Sequence, residues 1–131
     1  MHRTLLVLSA LATPAAAEDP MTAAAFDAYT RGQTMTFQLQ SGVTHGVESY
    51  LPDQRVIWSP APGVCTQGRW FARDGDICFV YEDDPEPKCW QVFQTTNGIR
   101  AEYTTRPDSS PIFEARRSRE PLICPGPVPL S

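Results

Sequence analysis

The amino-acid sequence predicts a mainly β domain: an antiparallel meander, open or closed into a small barrel, with one short N-terminal helix and disulfide staples. Three observations predict it. From Thr34 onward, short runs of apolar and β-branched residues recur between turn-forming clusters, with none of the strand–helix alternation of a parallel sheet. Residues 34–40 alternate strictly, with Met35, Phe37 and Leu39 on one side and Thr36, Gln38 and Gln40 on the other. Four cysteines, an even count, fall within one small domain.

The first 17 residues read as a secretory signal peptide. His2 and Arg3 form a basic head, residues 5–12 an apolar middle, and Ala15 and Ala17 fill the two positions where signal peptidase accepts only small side chains. Cleavage is expected before Glu18. The apolar run is far shorter than the ~20 residues needed to span a bilayer, so no membrane span is expected. Residues 18–131 then form a single β-rich domain, ending in a proline-rich strap over 120–131. Losing Arg3 moves the formal charge from −4 to about −5. That charge argues against nucleic acid or an anionic membrane surface as a partner, since both require a basic face.

Taken in order, the mature chain opens on a helix signal. Asp19 is placed to cap it, Pro20 suits its first position, and Gly32 can end it. Phe26 and Tyr29 share one face and would dock it on a sheet. Strands are expected at 34–40, 47–51, 55–58, 68–72, 77–82, 89–95, 99–105 and 112–116. Between them lie turn formers, of which Asp74-Gly75 and Asn97-Gly98 favour tight hairpins.

Register follows from the assumed hairpins. Pairing Trp70 with Phe79, and Phe79 with Trp90, gathers Trp70, Ile77, Phe79, Tyr81, Trp90 and Val92 on one face, the expected core. Phe71, Val80, Phe93, Cys65, Cys78 and Cys89 take the other face, which needs a cover that the C-terminal strap could provide. Prolines exclude helix and central strand from that strap.

In an exported domain Cys65, Cys78, Cys89 and Cys124 read as two disulfides, with three possible connectivities. Cys124 alone lies outside the sheet, so at least one sheet cysteine should reach the tail. Gaps of 13, 11 and 35 positions, with no C-x-x-C pair, do not suit a zinc site, and no metal is expected.

Candidate chemistry is sparse, and no cofactor motif is present. His45 is the only histidine after processing. With Glu48 near by it could serve as a general base, although its Gly-flanked stretch reads as a solvated turn. Asp83, Asp84 and Glu86 lack the ligand spacing of a calcium loop and read as a hairpin tip. Gly42 and Gly46 lack the lysine and helix of a phosphate loop. Trp58, Trp70 and Trp90 could line a pocket, but the register places the latter two in the core. Arg116, Arg117 and Arg119 form the only basic run, either a contact for an acidic partner or a solvated strand end.

The segments AFDAYTRGQTMTF, GVESYLPDQRVIW, CTQGRWF, DICFVYEDDPEPKCW and PLICPGP together resemble a family of small exported bacterial proteins of unknown function. The resemblance implies that the cysteines and tryptophans belong to a shared framework and brings no catalytic residues with it. Ser41-Gly42 with Tyr50 is similar, more loosely, to the Ser-Gly and Tyr signature of periplasmic lysozyme inhibitors, which are small disulfide-bearing barrels. The expectation is a non-enzymatic periplasmic or secreted protein that binds a protein or small molecule, through some of His45, Glu48, Tyr50, Trp58, Arg116 and Arg117. Its rivals are a hydrolase using His45 and Glu48, and an inhibitor of a lysozyme or protease.

Overall fold

A computed structural model describes residues 1–2, 4–11 and 18–125; the expected cleavage positions Ala15 and Ala17 and the last six residues of the strap lie outside these. The short helix α1 (Ala23–Thr30) precedes eight strands: β1 (Thr34–Gln38), β2 (Thr44–Tyr50), β3 (Arg55–Ala61), β4 (Val64–Arg73), β5 (Asp76–Tyr81), β6 (Asp84–Thr95), β7 (Gly98–Tyr103) and β8 (Ile112–Ser118). Each strand pairs antiparallel with the next, and β1 pairs with β8 to close the barrel. Every expected strand is present, and closure settles the choice between open sheet and barrel. Among the described residues, no helix is long and apolar enough to cross a membrane.

The helix begins later than its sequence signal. Thr22, not Asp19, is the N-cap, its hydroxyl accepting from the Ala25 N–H at 3.1 Å. The reason lies just upstream: the Met21 N–H donates to the Val92 carbonyl at 2.6 Å, which holds the entering chain against β6. Gly32, at φ 75°, turns the chain out of the helix, and its N–H donates to the Tyr50 carbonyl. Phe26 is inserted into the barrel end, 1 % exposed, edge-on to Tyr50, Trp70 and Phe79 at centroid distances of 5.6, 5.1 and 6.4 Å. Tyr29 packs less deeply and donates from its hydroxyl to Glu114.

Hairpin chemistry accounts for most strand ends. Asp74 and Gly75 both take positive φ, 52° and 83°, as a two-residue turn matched to strand twist requires. Asn97-Gly98 is different: Gly98 already pairs with Thr95, so the turn residues are Thr96 and Asn97. The acidic tip is also displaced, because Asp84 and Glu86 belong to β6 and the turn is Glu82-Asp83.

Trp70 pairs with Phe79 as expected, but Trp90 pairs with Ile77, two positions from the expected partner. A shift of two leaves every side chain on its face. Trp70, Ile77, Phe79 and Val92 accordingly lie in the interior core with Met35, Phe37, Tyr50, Val56, Ile99 and Ile112.

The disulfides are Cys65–Cys124 and Cys78–Cys89. The first ties the tail to the start of β4, and the second staples β5 to β6 on the outer face. Cys124 thus reaches a sheet cysteine, as expected, and the tail meets that face at Cys65. Elsewhere on that face arginines provide cover, with Arg73 over Phe71 and Arg100 over Phe93, their guanidinium carbons 5.9 and 4.7 Å from the ring centroids.

Candidate functional site

The barrel is a cup. Its floor lies where β1 begins and β2 ends, closed by Phe26 from α1. The opposite end, between the start of β2 and the end of β5, opens to solvent. The interior holds a cavity of about 480 Å³, bounded below by Phe26, Tyr50, Phe79, Val92 and Ile99 and at the mouth by His45, Trp58, Tyr81, Trp90 and Tyr103. Such a volume suits a small organic molecule.

Two strand glycines create part of this shape. A Cβ on Gly46 would collide with the Trp58 ring, and one on Gly68 with the Tyr81 ring. Glycine inside a strand marks such close approach. Both aromatic walls thus lie against backbone instead of against side chains. Trp90 stacks on Tyr103 with centroids 4.1 Å apart, and Tyr81 runs parallel to Phe79 at 6.4 Å.

Glu48 sits in the wall of the cup, opposite Trp58 in register and 3 % exposed. Its Oε1 accepts from the Tyr50 hydroxyl at 3.1 Å, and its Oε2 accepts from the Tyr81 hydroxyl at 2.6 Å. Burial raises its pKa from 4.5 to about 7, and the two tyrosine hydrogen bonds oppose that rise only in part. Among the described residues, no cation contributes to its shift. Burial first, then the carboxylate, push both tyrosines well above their ordinary value, so they remain protonated donors.

His45 is not at a solvated loop tip. A bulge sets Phe37 against Gly46 and Gln38 against Thr44, which leaves His45 as the extra residue in β2. Bulges re-aim side chains. Here the ring lies 5.5 Å from Trp58 and 6.3 Å from Trp90, half-buried, and that burial lowers its pKa. His45, Glu48, Tyr50 and Trp58 therefore share one cavity.

Arg116 and Arg117 lie elsewhere, near the closed end of β8. Arg116 pairs with Glu120, and the Arg117 guanidinium carbon lies 3.9 Å from the centroid of the Tyr29 ring, fastening helix to barrel. Ser41-Gly42 and Tyr50 are likewise separated. Ser41 and Gly42 are exposed before β2 begins, whereas Tyr50 ends that strand and is 3 % exposed. At the mouth, Lys88 pairs with Asp84, and Asp83 and Arg106 stand near by. Tyr81, Tyr103, Lys88 and Arg106 were not singled out by motif; the strand glycines were the available signal for Tyr81. Among the described residues, no group of three or more His, Cys, Asp or Glu side chains could hold a metal.

The chain matches no family model, no curated protein and no solved structure. The reading of its function rests on the cup itself.

Proposed function

We propose that this chain is an exported, disulfide-stapled binding protein that takes a small, largely apolar molecule into its barrel and performs no chemistry on it. The observation that carries this reading is the aromatic-walled cavity of about 480 Å³, with a few convergent polar groups set in an otherwise apolar lining. Export is supported by the leader-like N-terminus and by disulfides that engage all four cysteines. The hydrolase reading gains a shared cavity for His45 and Glu48, but Glu48 is engaged by Tyr50 and Tyr81, and the histidine ring lies against tryptophans. A base oriented by a carboxylate needs the opposite arrangement. The inhibitor reading loses the common surface that Ser41-Gly42 and Tyr50 would need.

The test uses N-phenyl-1-naphthylamine, an uncharged dye at neutral pH that brightens in apolar surroundings. Saturable brightening at one dye per chain is expected, with loss in A101F, which fills the cavity wall at a buried alanine. No brightening, or equal brightening in a folded A101F variant, would overturn the proposal.

A further inference from the structure

Resting on the reading of the barrel as a binding cup, we infer that its ligand is a small organic cation, an alkyl- or arylammonium ion, whose charged nitrogen is received by Glu48 beneath the aromatic mouth. Four observations carry this. Among the described residues, Glu48 is the one carboxylate deep in the cup, and it has no cationic partner. A buried carboxylate is stable only when paired or protonated. Tyr50 and Tyr81 each supply one hydrogen bond, so a carboxylate with about four acceptor positions retains capacity for a further donor.

The walls are chosen for the same charge. Trp58, Tyr81, Trp90 and Tyr103 surround the entry, and aromatic faces attract ammonium groups through their negative quadrupole. The balance of formal charge in the cup also favours a cation, with Glu48, Asp83 and Asp84 set against Lys88 and Arg106. Lys88 is itself held by Asp84 at 2.5 Å, so it is not placed to neutralise Glu48. A carboxylate ligand would meet Glu48 as a like charge, and a neutral one would leave it unpaired.

Binding should then depend on pH with a definite sign. An alkylammonium ion stays charged well above neutrality, as a lysine side chain does. Glu48 passes from carboxyl to carboxylate near pH 7, so affinity should rise between pH 5.5 and pH 8. The groups facing it are Tyr50 on its own strand, Tyr81 on β5 and Tyr103 on β7, with His45 at the rim; Asp83, Asp84, Lys88 and Arg106 lie at the mouth. Burial lowers the pKa of His45, and its charged form would also repel a cation.

Three chains of equal length separate the possibilities: octylamine, 1-octanol and octanoate, titrated calorimetrically below their aggregation limits. At pH 8 octylamine should bind about tenfold or more tighter than octanol, a gap of roughly 1.4 kcal/mol, with octanoate weakest. It should lose about tenfold between pH 8 and pH 5.5. E48Q should bring octylamine down to the affinity of octanol, leave octanol within about twofold, and remove most of the pH effect. Octanol or octanoate binding wild type as tightly as octylamine would overturn the cation assignment while leaving the cup a binding site. So would a pH effect of equal size in E48Q, which would belong to His45. Failure of all three ligands and of the dye would overturn both readings. If E48Q does not fold, the wild-type ligand series and its pH dependence remain decisive.

Discussion

An acid whose pKa is about 7 in the folded chain, against an ordinary 4.5, keeps its proton in the barrel after the unfolded chain has lost its own. Folding therefore favours the protonated form of Glu48, and stability falls as pH rises from about 4.5 to about 7, then levels. The size of the effect, for a group this buried, is on the order of 3 kcal/mol across that window. E48Q removes the ionisation, so its urea midpoint should vary less with pH than the wild type's, and near pH 8 E48Q should be the more stable. A wild-type slope unchanged by the substitution would show that other groups set it. Glu48 could be named from sequence as a partner for His45, but not as a buried acid. Its neighbours Tyr50 and Tyr81 come from different strands, and the contact between β2 and β5 exists only after closure.

At the scale of the element, α1 is too short to hold itself together and depends on its dock. Phe26 provides that dock as the floor of the cup. F26A should cost about 3–5 kcal/mol in a denaturant titration, the range for emptying a buried aromatic site. Retention of wild-type stability would show that Met21, Tyr29 and Arg117 suffice to seat the helix. The elements themselves were legible because amphipathic strands advertise a period of two. Their ends were less so: Met21 is drawn to Val92 on β6, and the bulge at His45 extends β2 back into what reads locally as a turn. The two-residue slip of Trp90 left the interior face intact for the same periodic reason. A slip of one would have turned it outward.

For the molecule as a whole, the two disulfides close loops of very different size. Cys65 and Cys124 are 59 positions apart, Cys78 and Cys89 only 11. Chain entropy assigns the longer loop about 4 kcal/mol and the shorter about 3 kcal/mol. C65S/C124S should therefore lower the urea-unfolding free energy somewhat more than C78S/C89S. The reverse order would show that the buried packing around Cys78 and Cys89, each about 1 % exposed or less, outweighs loop length. Which cysteines pair was not readable from sequence. Alternation places three of them on one face, and only the lateral order of strands decides between them.

Closure of β1 on β8 also fixes an order of events. The first strand to leave the ribosome has one of its two neighbours at the far end of the chain, and the floor residue Phe26 precedes even that strand. Topologies dominated by such distant pairings assemble slowly. Until the last strand arrives, the hairpins between can form, yet β1 and β7 each lack a neighbour and the cup has no seam. The vessel is shut from its final stave, so a chain lacking residues 112–118 leaves β1 and β7 with open edges along the seam that closes the barrel.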